Sequence, residues 1–262
     1  MKISANYTIF YGADFIEYSL RSIYDHVDYI LIALGKKSWK NHEGRRFSPI
    51  DNTKEVIMRF IKENDPESKI TLFEGEWDSD TEQRNFILDK CRGLVDYAML
   101  VDSDEVWEKK EIEKLVREVK ENSLSRDPPL VYGVGIVHYY RSLYWSHSSQ
   151  GPVNYVYKVT PALTHRWIRH PQFDRTDVQV LQLPVKYHHY GYAYPSKIVE
   201  KKVKFWGHSG DVVEDWYEDI FLKWKPSLPA YSPAGQNWTD LKRKRIIPEM
   251  ADHPFREFEI IP

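Results

Sequence analysis

Over its first 125 residues the chain alternates between short apolar runs and stretches with one-sided helical periodicity. Residues 2–10 predict a strand, and 28–34 return to strand as a compact apolar run. Between them Ile16, Leu20, Ile23 and Tyr24 recur at i, i+4, i+7 and i+8, the stripe of an amphipathic helix with Asp14 near its start. Asp51, Asn52 and Thr53 stand at the head of a helix whose apolar face is Val56, Ile57, Phe60 and Ile61. A third strand is predicted over 69–74, followed by a helix carrying Phe86, Ile87 and Leu88. A buried strand over 95–101 then ends in three carboxylates, Asp102, Asp104 and Glu105, before an amphipathic helix with Ile112, Leu115, Val116 and Val119. This repeated strand–helix alternation predicts an α/β fold with a mostly parallel, right-handed wound sheet flanked by helices.

The second half changes character. Strands are predicted over 130–140, 153–159 and 178–190, but the segments between them are aromatic, irregular and punctuated by Pro152, Pro161, Pro171 and Pro184. Two closing helices are expected: 196–206, with Val199, Val203 and Trp206 on one face, and 212–224, with Val213, Trp216, Tyr217, Ile220 and Trp224. The reading is one domain over 1–225, with halves 1–125 and 126–225, the latter an aromatic-rich mixed α+β half. Residues 226–262 form a C-terminal extension, Pro-rich and basic at 242–245. Residues 35–52 are polar and aperiodic, too long for an ordinary connection between strand and helix, which predicts a flexible flap over a ligand.

The 262 residues carry 37 basic and 39 acidic side chains, interspersed, so nothing suggests bulk nucleic acid as a partner. The single cysteine, Cys91, excludes an internal disulfide framework and fits a core position in a reducing compartment. With no apolar signal core and no run of about 20 apolar residues, a transmembrane segment is not expected and a cytoplasmic location is.

The chemistry concentrates where the buried strand ends. Alternation along a strand turns Asp102 and Asp104 to one side and Ser103 to the other, so two hard oxygen ligands converge at a carboxyl end, where open α/β sheets bind ligands. The competing reading is a solvated acidic turn capping the helix that starts near Lys110. Arg84 suits either a phosphate or a carboxylate such as Asp102. The aromatic run 138–145 offers a platform for a flat ligand, although a core role for at least half of it is the default.

The order of these pieces resembles the GT-A fold glycosyltransferases, particularly the family-two-like inverting group. The resemblance rests on Ser19, Leu20 and Ile23 after the first strand, Val27 and Asp28 opening the second, and Asp51-Asn52-Thr53 before a helix. Glu82-Gln83-Arg84-Asn85 and Asp102-Ser103-Asp104-Glu105 complete it. It implies a nucleotide-diphosphate sugar bound by the first half, Mn²⁺ or Mg²⁺ bridging its phosphates, and transfer to a carbohydrate or other hydroxyl-bearing acceptor. On this reading Asp104 ligates the metal, and Asp102 faces the metal or the donor's ribose. Tyr11, Arg84 and Asn85 contact the donor, together with Asp51, unless the family's usual nucleotide-contacting aspartate is absent. The family's turn after the second strand is missing, replaced by the insertion, and Tyr11-Gly12-Ala13-Asp14 replaces its first-strand Asn-Glu pair. A late histidine is expected to complete the metal site, His188 in preference to His189. Inverting transfer needs a carboxylate base, for which Asp174 and Asp177 are the candidates ahead of Asp211, Glu214 and Asp215. A metal-dependent phosphodiesterase or nucleotide hydrolase, and a non-catalytic nucleotide-sugar or carbohydrate-binding module, are the rival readings.

Overall fold

The structure, a computed structural model, describes residues 1–148, 151–167, 170–205, 209–238 and 240–262. The first half runs β1 (Ile3–Ile9), α1 (Ile16–Ile23), β2 (Tyr29–Gly35), α2 (Thr53–Asn64), β3 (Ile70–Gly75), α3 (Asp80–Cys91), β4 (Tyr97–Val101), β5 (Glu105–Val106) and α4 (Lys109–Asn122). β4, β1, β2 and β3 lie side by side in that order and parallel, as the alternation predicts of a mostly parallel sheet. β1 and β4 are buried at every residue, as strands covered on both faces must be. Local chemistry sets the helix starts. Ser79 caps α3, its Oγ accepting the Glu82 N–H at 3.1 Å, while the Glu82 carboxylate reaches back to the Asp78 N–H at 2.6 Å. Cys91 is fully buried, as a core thiol.

The second half runs β6 (Val131–Tyr140), β7 (Trp145–Ser148), β8 (Val153–Lys158), β9 (Thr164–Trp167), β10 (His170–Gln172), β11 (Val180–Tyr192) and α5 (Ser196–Phe205). The short strands β12 (Ala230–Tyr231), β13 (Asn237–Trp238) and β14 (Lys242–Arg243) follow. β8 joins the halves by pairing antiparallel with both β4 and β6. β11 lies parallel to β6, so β1, β4, β6 and β11 all point their carboxyl ends the same way. Trp206, expected at the end of the first closing helix, lies outside the described residues.

The second closing helix differs from the periodic reading. Only Trp216–Phe221 is helical, and as a π-helix, after Asp215 at φ 52°. The wider turn brings Trp216 and Phe221 together at 5.2 Å. The carbonyls of Phe221 and Leu222 then accept from the Arg141 guanidinium at 3.0 and 2.7 Å, which ends the helix there. Arg141 itself, with Ser142 and the rings of Tyr139 and Tyr140, is buried, so the centre of the run 138–145 is core and not a ligand platform.

Among the described residues three apolar clusters fill the molecule: one under the parallel sheet, a second built from the aromatic side chains of the second half, and a third between the sheet and α3, around Leu31, Ile87, Leu88 and Cys91. Residues from the end of the chain belong to the second: Met250 and Ile261 are buried, and the His253 imidazole stacks on Phe15 at 4.8 Å. Burial holds His253 down at about 4, so it packs as a neutral ring, its Nε2–H donating to the Asp14 carbonyl at 2.8 Å. No helix of the described residues is long and apolar enough to cross a membrane.

The start of α1 carries a measurable strain. Burial, then the nearby Asp51 carboxylate, raises the Asp14 carboxyl to about 6. A carboxyl whose folded value is raised stabilises the fold only while protonated, so its contribution is lost as pH rises through about 6. Asp14→Asn should therefore raise unfolding free energy by about 1–2 kcal/mol at pH 7.5. That gain should vanish near the unfolded carboxyl value of about 4. Urea unfolding across this pH range checks both the size and the sign.

Candidate functional site

Parallel packing brings the ends of β1 and β4 to one edge, and β5 adds a third element. Its two residues pair antiparallel with β11, Glu105 opposite His189 and Val106 opposite His188, and the Tyr190 N–H donates to the Asp104 carbonyl at 2.9 Å. Asp102-Ser103-Asp104 is thereby pinned between β4 and β11. Ser103 turns back and its Oγ donates to the Tyr11 carbonyl at 3.0 Å. That contact requires Gly12, at φ +151°, because a Cβ there would lie 2.4 Å from Ser103 Oγ. Glu105 is buried and structural, its carboxylate accepting from the Asp102 N–H at 3.2 Å and the Tyr155 hydroxyl at 3.1 Å.

The result is a cleft of about 210 Å³ containing Tyr11, Arg84, Asp102, Asp104, His189 and Lys202. Arg84 is buried and bridges two carboxylates, Nε to Asp80 and Nη2 to Asp102, both at 3.0 Å. Asp104, only 4% exposed, has its Oδ1 3.5 Å from His189 Nε2 and its Oδ2 3.9 Å from the Lys202 ammonium. Burial pushes the Asp104 carboxyl up, and the Lys202 charge opposes that shift. The His189 ring is seated from both sides. Its Nδ1 lies 3.1 Å from His138 Nδ1, and a Cβ on Gly191 would come within 2.6 Å of the ring. Burial drives His138 well below the usual histidine range, so it meets His189 as a neutral ring.

The insertion 35–52 forms one wall. Ser38 N–H donates to Phe47 O at 2.9 Å and Lys40 N–H to Asp78 O at 3.0 Å, while Lys40 and Arg46 both pair with the Asp78 carboxylate. The Trp39 indole N–H donates to Gln83 Oε1 at 2.6 Å, and Gln83 is fixed in turn by its amide donating to Ala33 O at 2.7 Å. Trp39 is thus held as a flat face on the cleft.

Other expected site residues lie elsewhere. His188 is buried between the Tyr139 hydroxyl at 2.8 Å and the Glu108 carboxylate at 3.2 Å, and it holds Glu108 down at about 2. The late histidine in the cleft is therefore His189. Asn85 spends both amide atoms on the backbone of His165, at 2.9 and 2.8 Å, and ties α3 to β9. Asp51 accepts the N–H groups of Gly12 and Ala13, both at 3.0 Å, and the Thr53 hydroxyl at 2.6 Å, which shapes the loop after β1. Asp174 and Asp177 are exposed, Asp177 in an ion pair with Arg175 at 2.6 Å. They precede β11, whose 13 residues span roughly 40 Å, so they sit at the opposite end of the sheet from the cleft. Cleft residues that sequence reasoning passed over include Lys202, Trp39 and Tyr192.

Residues 47–193 match the family described as Glycosyl transferase family 2. No curated protein matches the chain. Among solved structures, S. aureus TarS 1–349 aligns with a TM-score of 0.46 at 13% identity, covering 76% of this chain and 63% of that one. Its complex with UDP-GlcNAc aligns at 0.38 and 16%, covering 53% and 35%. GalNAc-T7 with UDP, GalNAc and Mn²⁺ aligns at 0.49 and 12%, covering 84% and 49%. The chain thus spans less than two thirds of the length of each.

The two neighbouring histidines should separate cleanly. His188→Ala leaves a cavity and strips partners from Tyr139 and Glu108, so unfolding free energy should fall by about 2–4 kcal/mol. His189→Ala, at the cleft, should change it by less than about 1 kcal/mol and weaken Mn²⁺ binding instead. Thermal unfolding together with calorimetric Mn²⁺ titration distinguishes them; metal binding that follows His188 alone would remove His189 from the site.

Proposed function

Because the chain belongs to glycosyl transferase family 2 and its α/β sheet has the GT-A form, we propose that the cleft is the donor site of a glycosyltransferase. The reaction moves a sugar from a nucleotide diphosphate to an acceptor hydroxyl, with inversion at the anomeric carbon. The observation that carries this reading is the meeting of Asp104, Asp102 and His189 with the cations Arg84 and Lys202 at the carboxyl end of β4. A site built for a neutral ligand has no use for that much buried charge.

The donor set fits a divalent cation. Asp104 Oδ1 and His189 Nε2, 3.5 Å apart, are spaced as neighbouring ligands of one ion, with Asp102 adjacent. A carboxylate with an imidazole suits Mn²⁺ better than Mg²⁺. Among the described residues no group of three His, Cys, Asp or Glu side chains is close enough to hold a metal by itself, so Asp104, His189 and Asp102 would hold the ion only together with ligands from outside the chain. Bound there, the ion supplies Lewis-acid stabilisation of the departing diphosphate.

The chain's own residues do the rest. Arg84 holds Asp102 in place and keeps its charge compensated. Tyr11 and Tyr192 exclude water from beside Asp104, which strengthens each electrostatic contact inside. Trp39, fixed by Gln83, offers its face to the nucleobase or the sugar. As the acceptor oxygen bonds to the anomeric carbon and its proton passes to solvent, the bond from that carbon to the phosphate oxygen breaks and its electron pair stays on the diphosphate.

A hydrolysis screen over nucleotide sugars with and without Mn²⁺ tests the reading, since slow transfer to water releases a nucleoside diphosphate. Turnover of at least one donor, stimulated by Mn²⁺, is expected, and Asp104→Asn should lower it at least about 100-fold. Melting temperature should hold in this variant, because burial already disfavours the Asp104 charge. No release from any donor, with Mn²⁺ present, would sink the proposal.

The incomplete ligand set gives a second test. Mn²⁺ should bind weakly alone and at least about tenfold more tightly with nucleoside diphosphate present, with the same coupling in the reverse order. Electron paramagnetic resonance of free Mn²⁺ reads this directly, and equal affinity in both conditions would mean the chain closes the site unaided.

A further inference from the structure

Lys202 is an amine with spare donors inside an anion-sized cleft. It sits on α5 three residues after Val199, so its stem enters along the helix's buried face, and its side chain is only 12% exposed. One N–H donates to the Gly191 carbonyl at 2.8 Å. Asp104 Oδ2, at 3.9 Å, is close enough to attract the ammonium but too far to accept a hydrogen bond from it. The rings of Tyr192, Tyr11 and Tyr194 surround it at 5.1, 5.6 and 5.8 Å, stabilising a cation without saturating its donors.

The other cation in the cleft is committed. Arg84 spends Nε on Asp80 and Nη2 on Asp102, with good geometry at both, and it is the partner that keeps Asp102 in position. Burial lowers the Lys202 amine, whereas Asp104 and Asp102 work to keep it charged. Among the described residues the ammonium has one carboxylate, Asp104, at ion-pair distance and no anionic acceptor within hydrogen-bond range.

We propose that Lys202 is the diphosphate anchor: its ammonium donates to a phosphate of the donor and takes up the negative charge that the diphosphate gains when its bond to the sugar breaks. Arg84 positions a carboxylate, while Lys202 meets the ligand. The identity of the ligand rests on the glycosyltransferase reading; a phosphate site at Lys202 does not.

The test uses inorganic pyrophosphate as the probe, titrated calorimetrically into the full chain with Mn²⁺ and, separately, in EDTA. Lys202→Met should weaken pyrophosphate binding at least about tenfold in both conditions, as expected for loss of a charged hydrogen bond. Lys201→Met, an exposed neighbour on the same helix, should bind as the parent does. Lys202→Gln keeps a donor for the Gly191 carbonyl and gives the same readout should the Met variant not fold. Unchanged pyrophosphate affinity in a folded Lys202 variant overturns the anchor. Nucleotide-sugar hydrolysis in the same preparations separates the two claims. Turnover alongside Lys202-independent binding overturns the anchor alone. Lys202-dependent binding with no turnover of any donor overturns the glycosyltransferase reading and leaves the phosphate site standing.

Discussion

The cleft depends on two residues of strand. Glu105 and Val106 lie antiparallel on His189 and His188, and this short ladder joins the parallel half of the sheet, which ends in Asp102 and Asp104, to the aromatic half, which supplies His189 and Lys202. Without it the carboxylates would project from a strand end into solvent, as an acidic turn does. With it Asp104 is buried beside an imidazole and an ammonium. The Glu105 carboxylate reinforces the ladder by accepting from the Asp102 N–H and the Tyr155 hydroxyl, so the third acid of the cluster builds the site that the other two occupy.

The first half was legible because β2 and β4 are covered on both faces and read as apolar runs, while α1, α2 and α4 each keep a single apolar stripe. The second half was less so, and for nameable reasons. Residues 212–224 fit an α-helical stripe, but Arg141, remote in sequence, takes the Phe221 and Leu222 carbonyls, and the aromatic rings pack at π-helical spacing. Nothing local announces that. The misplacement of Asp174 and Asp177 was avoidable. A segment that precedes a strand parallel to its neighbours lies at the amino edge, away from the carboxyl edge where such sheets bind ligands.

The two histidines carry the same lesson at finer scale. Along β11 the buried positions Leu183, Val185 and Tyr187 alternate with the exposed Gln182, Pro184 and Lys186. The alternation of the whole strand continues that apolar side to His189, whereas the local pattern around 186–192 left the choice open. His188, on the other side, is absorbed by Tyr139 and Glu108. Lys202 lies with Val199 and Val203 on one helical face, where a lysine ordinarily buries its stem and keeps its charge in water, so only the tertiary contacts to Gly191 and Asp104 reveal the ammonium inside the cleft.

Charge balance explains why these groups coexist. Two neighbouring carboxylates in a closed cleft repel each other, and burial alone would drive at least one to protonate. The fold assigns a cation to each: Arg84 meets Asp102 through a direct hydrogen bond, and Lys202 meets Asp104 at a looser distance. That difference divides the labour. The tight pair fixes geometry, because an arginine locked to two carboxylates cannot follow a ligand. On the proposed reading the loose pair would let a divalent ion at Asp104 and an anionic ligand at the Lys202 ammonium share that attraction. Preorganised charge of this kind acts where new charge develops, without first having to reorganise solvent.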